Sequence, residues 1–184
     1  MEKILDPFFS EKFYNIGDIG PGGGLIFYYD ESGFTVQGYG NPGNTGYFPS
    51  YIAHYLEAAH TDISPTGEWW SAGAPPSFIN GTDFVMGTGR LNTALILDKD
   101  PTAPAAMACR NYPGGGKTDW FLPNLEEIME LFINRNIFGN FQNSEYWTSF
   151  EEDTYTAFYH NFINGYQSNG SKSSPYLVRP IRAF

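Results

Sequence analysis

The sequence predicts a single loop-rich domain of the α+β class. Hydrophobic residues make up 41% of the 184 positions, enough to build a core, while 21 glycines and 13 prolines fill the chain with turns. Short β-rich runs alternate with segments of helical spacing, a mixture that excludes both a disordered chain and a helical bundle. We expect an N-terminal arm at residues 1–15 and one domain at residues 16–184.

The first residues predict an arm that carries aromatic side chains. Phe8, Phe9, Phe13 and Tyr14 lie within it and are expected to anchor on the body of the domain or on a neighbouring subunit. Residues 1–7 lack the apolar stretch of a signal peptide, and no apolar run approaches the ~20 residues of a membrane span. One expectation is therefore a homo-oligomer joined through this arm, without membrane insertion.

A glycine-rich stretch at residues 20–24 precedes the first β-rich run at residues 25–29. A phosphate-binding loop has to follow a strand and open a helix, so the order here excludes that interpretation. We instead predict a tight backbone crossing into a strand at residues 25–29, a turn at 31–33 and a second strand around 34–36. Residues 51–59 fit either a helix or a strand.

Two helices are predicted in the middle of the chain. The first covers residues 89–97, and the second has Thr102 as its cap and Pro104 in its first turn. Cys109, the only cysteine of the sequence, lies in the second helix, where a buried and inert thiol is expected. A single cysteine excludes an intrachain disulfide and a cysteine-based zinc cluster.

The best-defined helix begins after Pro123. Asn124 and Glu127 are three positions apart, as a capping box requires. The apolar face of this helix is predicted to consist of Leu125, Ile128, Met129 and Phe132. Glu126, Glu127 and Glu130 are interpreted as a solvated face that favours the helix dipole, rather than as a metal or acid–base cluster.

Charge and histidine spacing narrow the function classes. The formal net charge of -10 disfavours nucleic acid and anionic membranes as partners. His54, His60 and His160 lack the His-x-x-x-His spacing of a metal pair, and no Gly-x-Ser-x-Gly motif marks a hydrolase. His160 is interpreted as a satisfied core or rim histidine. We therefore predict no catalytic residue, no metal-binding residue and no cofactor.

Three motifs in the second half of the chain carry a resemblance to a known family. They are Asp119-Trp120-Phe121-Leu122-Pro123, Tyr146-Trp147-Thr148-Ser149 and Val178-Arg179-Pro180-Ile181-Arg182. Further matching pieces lie at residues 20–27, 55–59, 61–64 and 106–110. From about residue 17 onward the chain resembles the C-terminal domain of bacterial collagen-like adhesins.

The resemblance implies a C-type-lectin-like fold of the variant first seen in formylglycine-generating enzymes. That fold has two helices packed on a small, twisted, antiparallel sheet, with long loops on one side and the chain ends close together. A related group contains variable proteins diversified by retroelements, whose substitutions fall on C-terminal strands and loops. The enzyme branches use a cysteine pair or a histidine triad, which this sequence lacks, so a metal-dependent oxidoreductase is the weakest functional alternative.

Residues 150–169 occupy the position of those variable segments, and they mix aromatic with small polar residues as recognition surfaces do. Strand alternation puts Tyr155, Tyr159 and Asn161 on one face, which we expect to point outward, and Phe158 and Phe162 on the core face. The predicted ligand-binding residues are Phe150, Glu151, Glu152, Asp153, Tyr155, Tyr159, Asn161, Tyr166 and Gln167. The alternative is that these aromatics only cover the sheet.

Charged residues near this segment have a structural interpretation. The adjacent carboxylates at residues 151–153 suit calcium, but a solvated acidic turn is preferred because calcium needs six or more oxygen ligands. Arg179 and Arg182 are expected to pair with carboxylates such as Asp119 or Glu127 and to lock the fold.

The sequence therefore predicts a non-enzymatic module of the adhesin or receptor type that recognises a protein or a glycan through its C-terminal strand and loops. Display on a cell surface or a virion is expected. With no signal peptide visible, a cytoplasmic location stays open. The alternative function is that of a structural subunit that assembles a surface or virion complex through the N-terminal arm.

Overall fold

A computed structural model describes residues 12–63, 67–73 and 75–184. Its strands are β1 (Leu25–Val36), β2 (Tyr51–Ala58), β3 (Glu145–Glu151), β4 (Thr156–Asn161), β5 (Gln167–Ser171) and β6 (Ile181–Ala183), and its α-helices are α1 (Gly89–Lys99), α2 (Pro104–Arg110) and α3 (Leu125–Ile133). The α+β class and the antiparallel pairing are confirmed. The described strands form two sheets, in the orders β1-β2-β6 and β3-β4-β5, rather than one.

The first sheet brings the two ends of the described chain together. β1 is a single strand of 12 residues rather than the predicted pair. At the predicted turn the pairing with β2 is not broken: its register shifts between Tyr29 and Phe34, where the intervening residues bulge from the ladder. Residues 51–59, left open between helix and strand, contain β2. β6 pairs with β2, and the ring centroids of Tyr14 and Phe184 lie 5.5 Å apart. The first described residues and the C-terminus are therefore close to each other.

The glycine-rich turn before β1 wraps around a buried carboxylate, that of Glu57 on β2. The backbone N–H groups of Gly22 and Gly24 donate to this carboxylate at 2.9 and 3.0 Å, and Nη1 of Arg182 donates at 2.8 Å. A Cβ atom at Gly20 or Gly22 would lie 2.6 Å from a carboxylate oxygen. Glycine is therefore required here for the close approach of the backbone to an anion that the protein itself supplies.

Two buried arginines hold the C-terminal motif to distant parts of the chain. Nε of Arg182 donates to Asp119 at 2.6 Å, which confirms the expected pairing of these two residues. Nε of Arg179 donates to Asp62, also at 2.6 Å. The other predicted partner, Glu127, pairs with neither arginine within the described ranges. The expected pairing of both arginines with carboxylates is thus confirmed, whereas Glu127 is wrong as one of the partners.

The capping box of α3 is confirmed. The Asn124 side chain accepts the Glu127 N–H at 2.9 Å, and the Glu127 carboxylate accepts the Asn124 N–H at 2.8 Å. The prediction that Glu127 is solvated is wrong, because the start of α1 and the turn before it cover its carboxylate, which accepts the N–H groups of Gly87 and Gly89. Burial raises the pKa of Glu127 to about 7. Met129, predicted on the apolar face, is 41% exposed.

The two middle helices form where the sequence predicts them, with different ends. α1 continues to Lys99, and α2 has Ala103 rather than Thr102 at its N-cap position. The Thr102 hydroxyl instead donates to Asp100 at 3.1 Å. Cys109 is buried as expected, and burial raises the pKa of its thiol. Among the residues described, no helix has the length and apolar character to cross a membrane.

We expect Glu57→Gln to lower the free energy of unfolding by about 3–5 kcal/mol, since it leaves Arg182 incompletely paired and turns an NH₂ group towards the glycine N–H donors. Urea unfolding followed by tryptophan fluorescence measures the change. Exposed Glu152→Gln is the control and is expected to stay within about 0.5 kcal/mol of the unaltered chain. Equal stability of the two variants would contradict the role given to Glu57.

His160 on β4 predicts a pH dependence of stability. It is 1% exposed, and neither ring nitrogen has a hydrogen-bond partner in the described structure. Burial lowers its pKa from 6.5 to about 4, and the charge of Arg135 adds to this effect. The unfolded chain therefore takes up a proton at this position between about pH 6.5 and pH 4 while the folded chain does not. The stabilising contribution is present above this window and is lost as pH falls through it.

We expect His160→Phe, which places a ring beside Phe132 and Phe162, to remove up to about 3 kcal/mol of this pH-dependent loss. Free energies of unfolding measured from pH 7 to pH 4 give the difference between the variants. That difference isolates His160, since all other groups titrate in both. His60→Gln, at an exposed position, is the control, and a slope unchanged by His160→Phe would refute the assignment.

Candidate recognition surface

The β4–β5 hairpin carries one exposed tyrosine at each end. Tyr155 precedes β4 and is 67% exposed, and Tyr166 precedes β5 and is 73% exposed. The Tyr155 carbonyl accepts the Lys172 N–H, and the Tyr166 carbonyl accepts the Asn161 N–H. The length of β4 therefore separates the two tyrosines by about 20 Å. Both point to solvent as predicted, but one small ligand does not reach both.

Tyr159 and Asn161 were expected to point outward, and the structure corrects this. Tyr159 is half-buried against the core around Trp147, with its ring centroid 5.0 Å from that of Tyr176. Asn161 is half-buried and its side chain donates to Glu145 at 3.0 Å. The alternation along β4 is as predicted, but the sheet is covered on both faces, by this core and by α3. Alternation alone does not identify a solvent face.

Phe150 belongs to β3 rather than to the following loop. Its ring stacks on that of Phe158 with centroids 5.1 Å apart, and the edge of Phe84 meets it at 5.7 Å. Phe158, predicted as core, is only half-buried, and Phe84 is 48% exposed. These three rings form an apolar cluster at the surface beside the hairpin.

Glu151 lies inside the protein, so the solvated acidic turn predicted at residues 151–153 is wrong for its first member. Its carboxylate pairs with the buried ammonium group of Lys172 and accepts the Ile79 N–H at 2.8 Å. Lys172 also donates to the Thr154 carbonyl at 3.0 Å. Burial lowers the pKa of Lys172, although the bond to Glu151 acts in the opposite direction. This pair fastens the loop before β4 to the segment after β5.

The remaining predicted residues, Glu152, Asp153 and Gln167, are exposed. The Asp153 carboxylate accepts the Tyr155 N–H at 2.7 Å, and such backbone hydrogen bonds hold its pKa below the usual range. Gln167 donates to the Leu125 carbonyl at 3.0 Å. Asp153 and Gln167 therefore serve local structure. Within the described ranges, no group of three or more His, Cys, Asp or Glu side chains is placed to hold a metal ion.

A cavity of about 310 Å³ opens beside Tyr155. It is lined by that ring, by Trp70 and Glu68, and by small hydroxyl residues that include Ser171 and Ser173. Trp70 is 5% exposed, and its buried indole N–H has no hydrogen-bond partner in the described structure. We name this the Tyr155 pocket.

The Tyr155 pocket suits a ligand that carries hydroxyl or carbonyl groups beside an apolar face. Aromatic rings supply contact area, serine hydroxyls donate and accept, and the Glu68 carboxylate accepts. Glu68 and Trp70 were not predicted as site residues because they lie far from Tyr155 in sequence. The pair of adjacent tryptophans was the only feature of their segment that could have indicated a site.

A family model described as the Lcl C-terminal domain matches the chain over residues 66–182. The chain belongs to the Lcl C-terminal domain family. This confirms the resemblance at the level of the family. Comparison with curated proteins finds no match.

The range matched by the Lcl C-terminal domain model contains the second sheet and the whole lining of the Tyr155 pocket. The glycine-rich turn, β1 and β2 precede this range, although motifs in these segments were part of the resemblance found in the sequence. The candidate recognition surface is therefore part of the family domain, while half of the Glu57 network lies before it.

Proposed function

We propose that the chain is a non-enzymatic binding module of the adhesin or receptor type, which recognises a glycan or a protein through the Tyr155 pocket. Membership of the Lcl C-terminal domain family supports an adhesin-like role. The observation that carries the proposal is the cavity beside exposed Tyr155, which combines aromatic rings with hydroxyl and carboxylate groups.

The loop of Tyr155 is ordered in the way that recognition favours. Asp153 fixes the backbone N–H of Tyr155, Lys172 fixes its carbonyl, and the pairing of Lys172 with Glu151 anchors both sides of the loop. The ring itself stays exposed. Ordering before binding reduces the entropy that a ligand has to offset, and tyrosine loses little entropy of its own.

The finer aspects of the proposal follow the sequence resemblance. We assign the chain a C-type-lectin-like fold, related to the retroelement-diversified variable proteins, and place it on a cell surface or a virion. The contact between Tyr14 and Phe184 and the antiparallel sheets agree with that fold. The buried thiol of Cys109, with its raised pKa, favours binding over redox catalysis, and we propose no cofactor and no nucleic-acid partner.

The test is a screen of the purified chain against an array of glycans and against surface proteins, followed by titration of any hit. We expect Tyr155→Ala and Glu68→Gln each to weaken binding about tenfold or more, since contacts at the centre of a site dominate affinity. Tyr166→Ala, which removes an equally exposed ring at the other end of the hairpin, is the matched control.

The melting temperatures of the three variants are measured alongside. They should match that of the unaltered chain, because neither tyrosine is packed in the core. Binding that survives Tyr155→Ala, or falls equally with Tyr166→Ala, would reject the Tyr155 pocket as the site.

A second candidate function, assembly into a larger complex, rests on the arm. Phe8 and Phe9 lie outside the described residues, but Phe13 is 74% exposed beside a cavity of about 500 Å³ whose lining includes Tyr29 and Phe184. An exposed phenylalanine next to a cavity lined by several aromatic rings is typical of a surface that a second copy covers.

For assembly, we expect Phe13→Ser to lower the molar mass of the chain in sedimentation equilibrium, since it removes the apolar side chain from the contact. Ile163→Ser, which changes a residue 62% exposed at the far end of the hairpin, serves as the control. A monomeric unaltered chain would rule out self-assembly through the arm.

A further inference from the structure

Two arginines line a further cavity, which shares no residue with the Tyr155 pocket. The cavity measures about 200 Å³ and lies between the loop that carries Tyr47 and the segment that carries Thr118 and Asp119. Arg90 at the start of α1 and Arg110 at the end of α2 are among its lining residues. We name it the arginine cavity.

Arg90 is held by aromatic rings instead of by a carboxylate. Its guanidinium lies 4.0 Å from the centroid of Phe48 and 5.7 Å from that of Tyr51, and within the described ranges it has no salt bridge. The buried Arg179 and Arg182 both have carboxylate partners. Contacts with aromatic faces stabilise the guanidinium charge without a carboxylate, so its N–H groups can still bind an anionic acceptor.

Arg110 adds a second positive charge to the same cavity. It is exposed and likewise has no salt bridge to a described carboxylate. It also lines an adjoining cavity of about 480 Å³, so it stands where the two spaces meet. In a chain with 20 acidic and 10 basic residues, two arginines without carboxylate partners around one cavity favour an external anion.

The cavity also offers an acceptor. Oδ1 of Asp119 is taken by Nε of Arg182 at 2.6 Å, whereas Oδ2 accepts no hydrogen bond from the residues described. Arg182 shares its single positive charge between Asp119 and Glu57, so these three groups together carry one net negative charge, and the two charges of Arg90 and Arg110 still leave the surroundings of the cavity positive. A ligand matched to this lining therefore carries a carboxylate for the guanidinium groups and a hydroxyl donor for Oδ2.

We propose that the arginine cavity binds a small hydroxycarboxylic acid through Arg90, Arg110 and Asp119. The volume is below the roughly 300–1,000 Å³ of drug-sized sites, so it suits a single acidic unit. The net charge of -10 opposes a polyanion much more than a monoanion, because long-range repulsion grows with ligand charge. This site is independent of the Tyr155 pocket.

Isothermal titration with gluconate tests the site, with sorbitol as the uncharged polyol of matching length. We expect gluconate to bind and sorbitol to bind at least tenfold more weakly. Arg110→Gln should weaken gluconate binding about tenfold, the effect of losing one charge-assisted hydrogen bond. Lys99→Gln removes an equivalent charge from the last turn of α1, outside the cavity, and should leave the affinity within twofold.

Two further arms complete the test. Arg90→Lys keeps the charge but loses the planar donor pair, so a loss of about fivefold or more is expected, and circular dichroism checks its folding. Sulfate, which lacks the hydroxyl donors, should compete at least tenfold less well than gluconate. No gluconate binding, equal effects of Arg110→Gln and Lys99→Gln, or equal competition by sulfate would each overturn the proposal. Tyr155→Ala should leave gluconate binding unchanged whether or not the Tyr155 pocket is functional.

Discussion

The buried carboxylate of Glu57 is the interaction on which the rest of the fold depends. It accepts hydrogen bonds from the glycine turn and from Arg182, so the N-terminal turn, β2 and β6 converge on one negative charge. Arg182 continues the network to Asp119, and Phe121 then exchanges two backbone hydrogen bonds with Ile181, at 2.9 and 3.0 Å. Buried ions are tolerated only when every member is paired. The network therefore selects one arrangement of chain segments that are far apart in sequence.

A buried ion pair also holds the β4–β5 hairpin in place. Glu151 and Lys172 neutralise each other inside the protein, and Lys172 also stands 4.9 Å from the centroid of Trp69. The backbone N–H of Lys172 donates to the Tyr155 carbonyl and so joins Tyr155 to the ladder. A charge pair thus sets the position of an exposed ring without contacting it. Rigid support of this kind is what a binding site on a loop needs in order to keep its geometry.

Sequence patterns correctly predicted features that depend only on residues close together in the chain. The capping box of Asn124 and Glu127 requires only a spacing of three, and it is present. Two predictions are wrong: that Glu127 is solvated and that Tyr159 points outward. Both side chains are covered by residues that are distant from them in sequence. Gly87 and Gly89 cover Glu127, and the core around Trp147 covers Tyr159. A local sequence pattern does not encode such long-range contacts. Tyr155 and its loop were therefore predicted as part of the site, whereas the pocket residues distant in sequence were not.

The separation of the two exposed tyrosines has a consequence for how the surface changes with mutation. Free-energy effects of substitutions more than about 7–10 Å apart usually add, whereas those of neighbours interact. Tyr155 and Tyr166 stand at opposite ends of β4, each tied to the ladder by its own backbone hydrogen bond. The two ends can therefore accumulate substitutions independently, and a sequence change that alters one contact leaves the free energy contributed by the other intact.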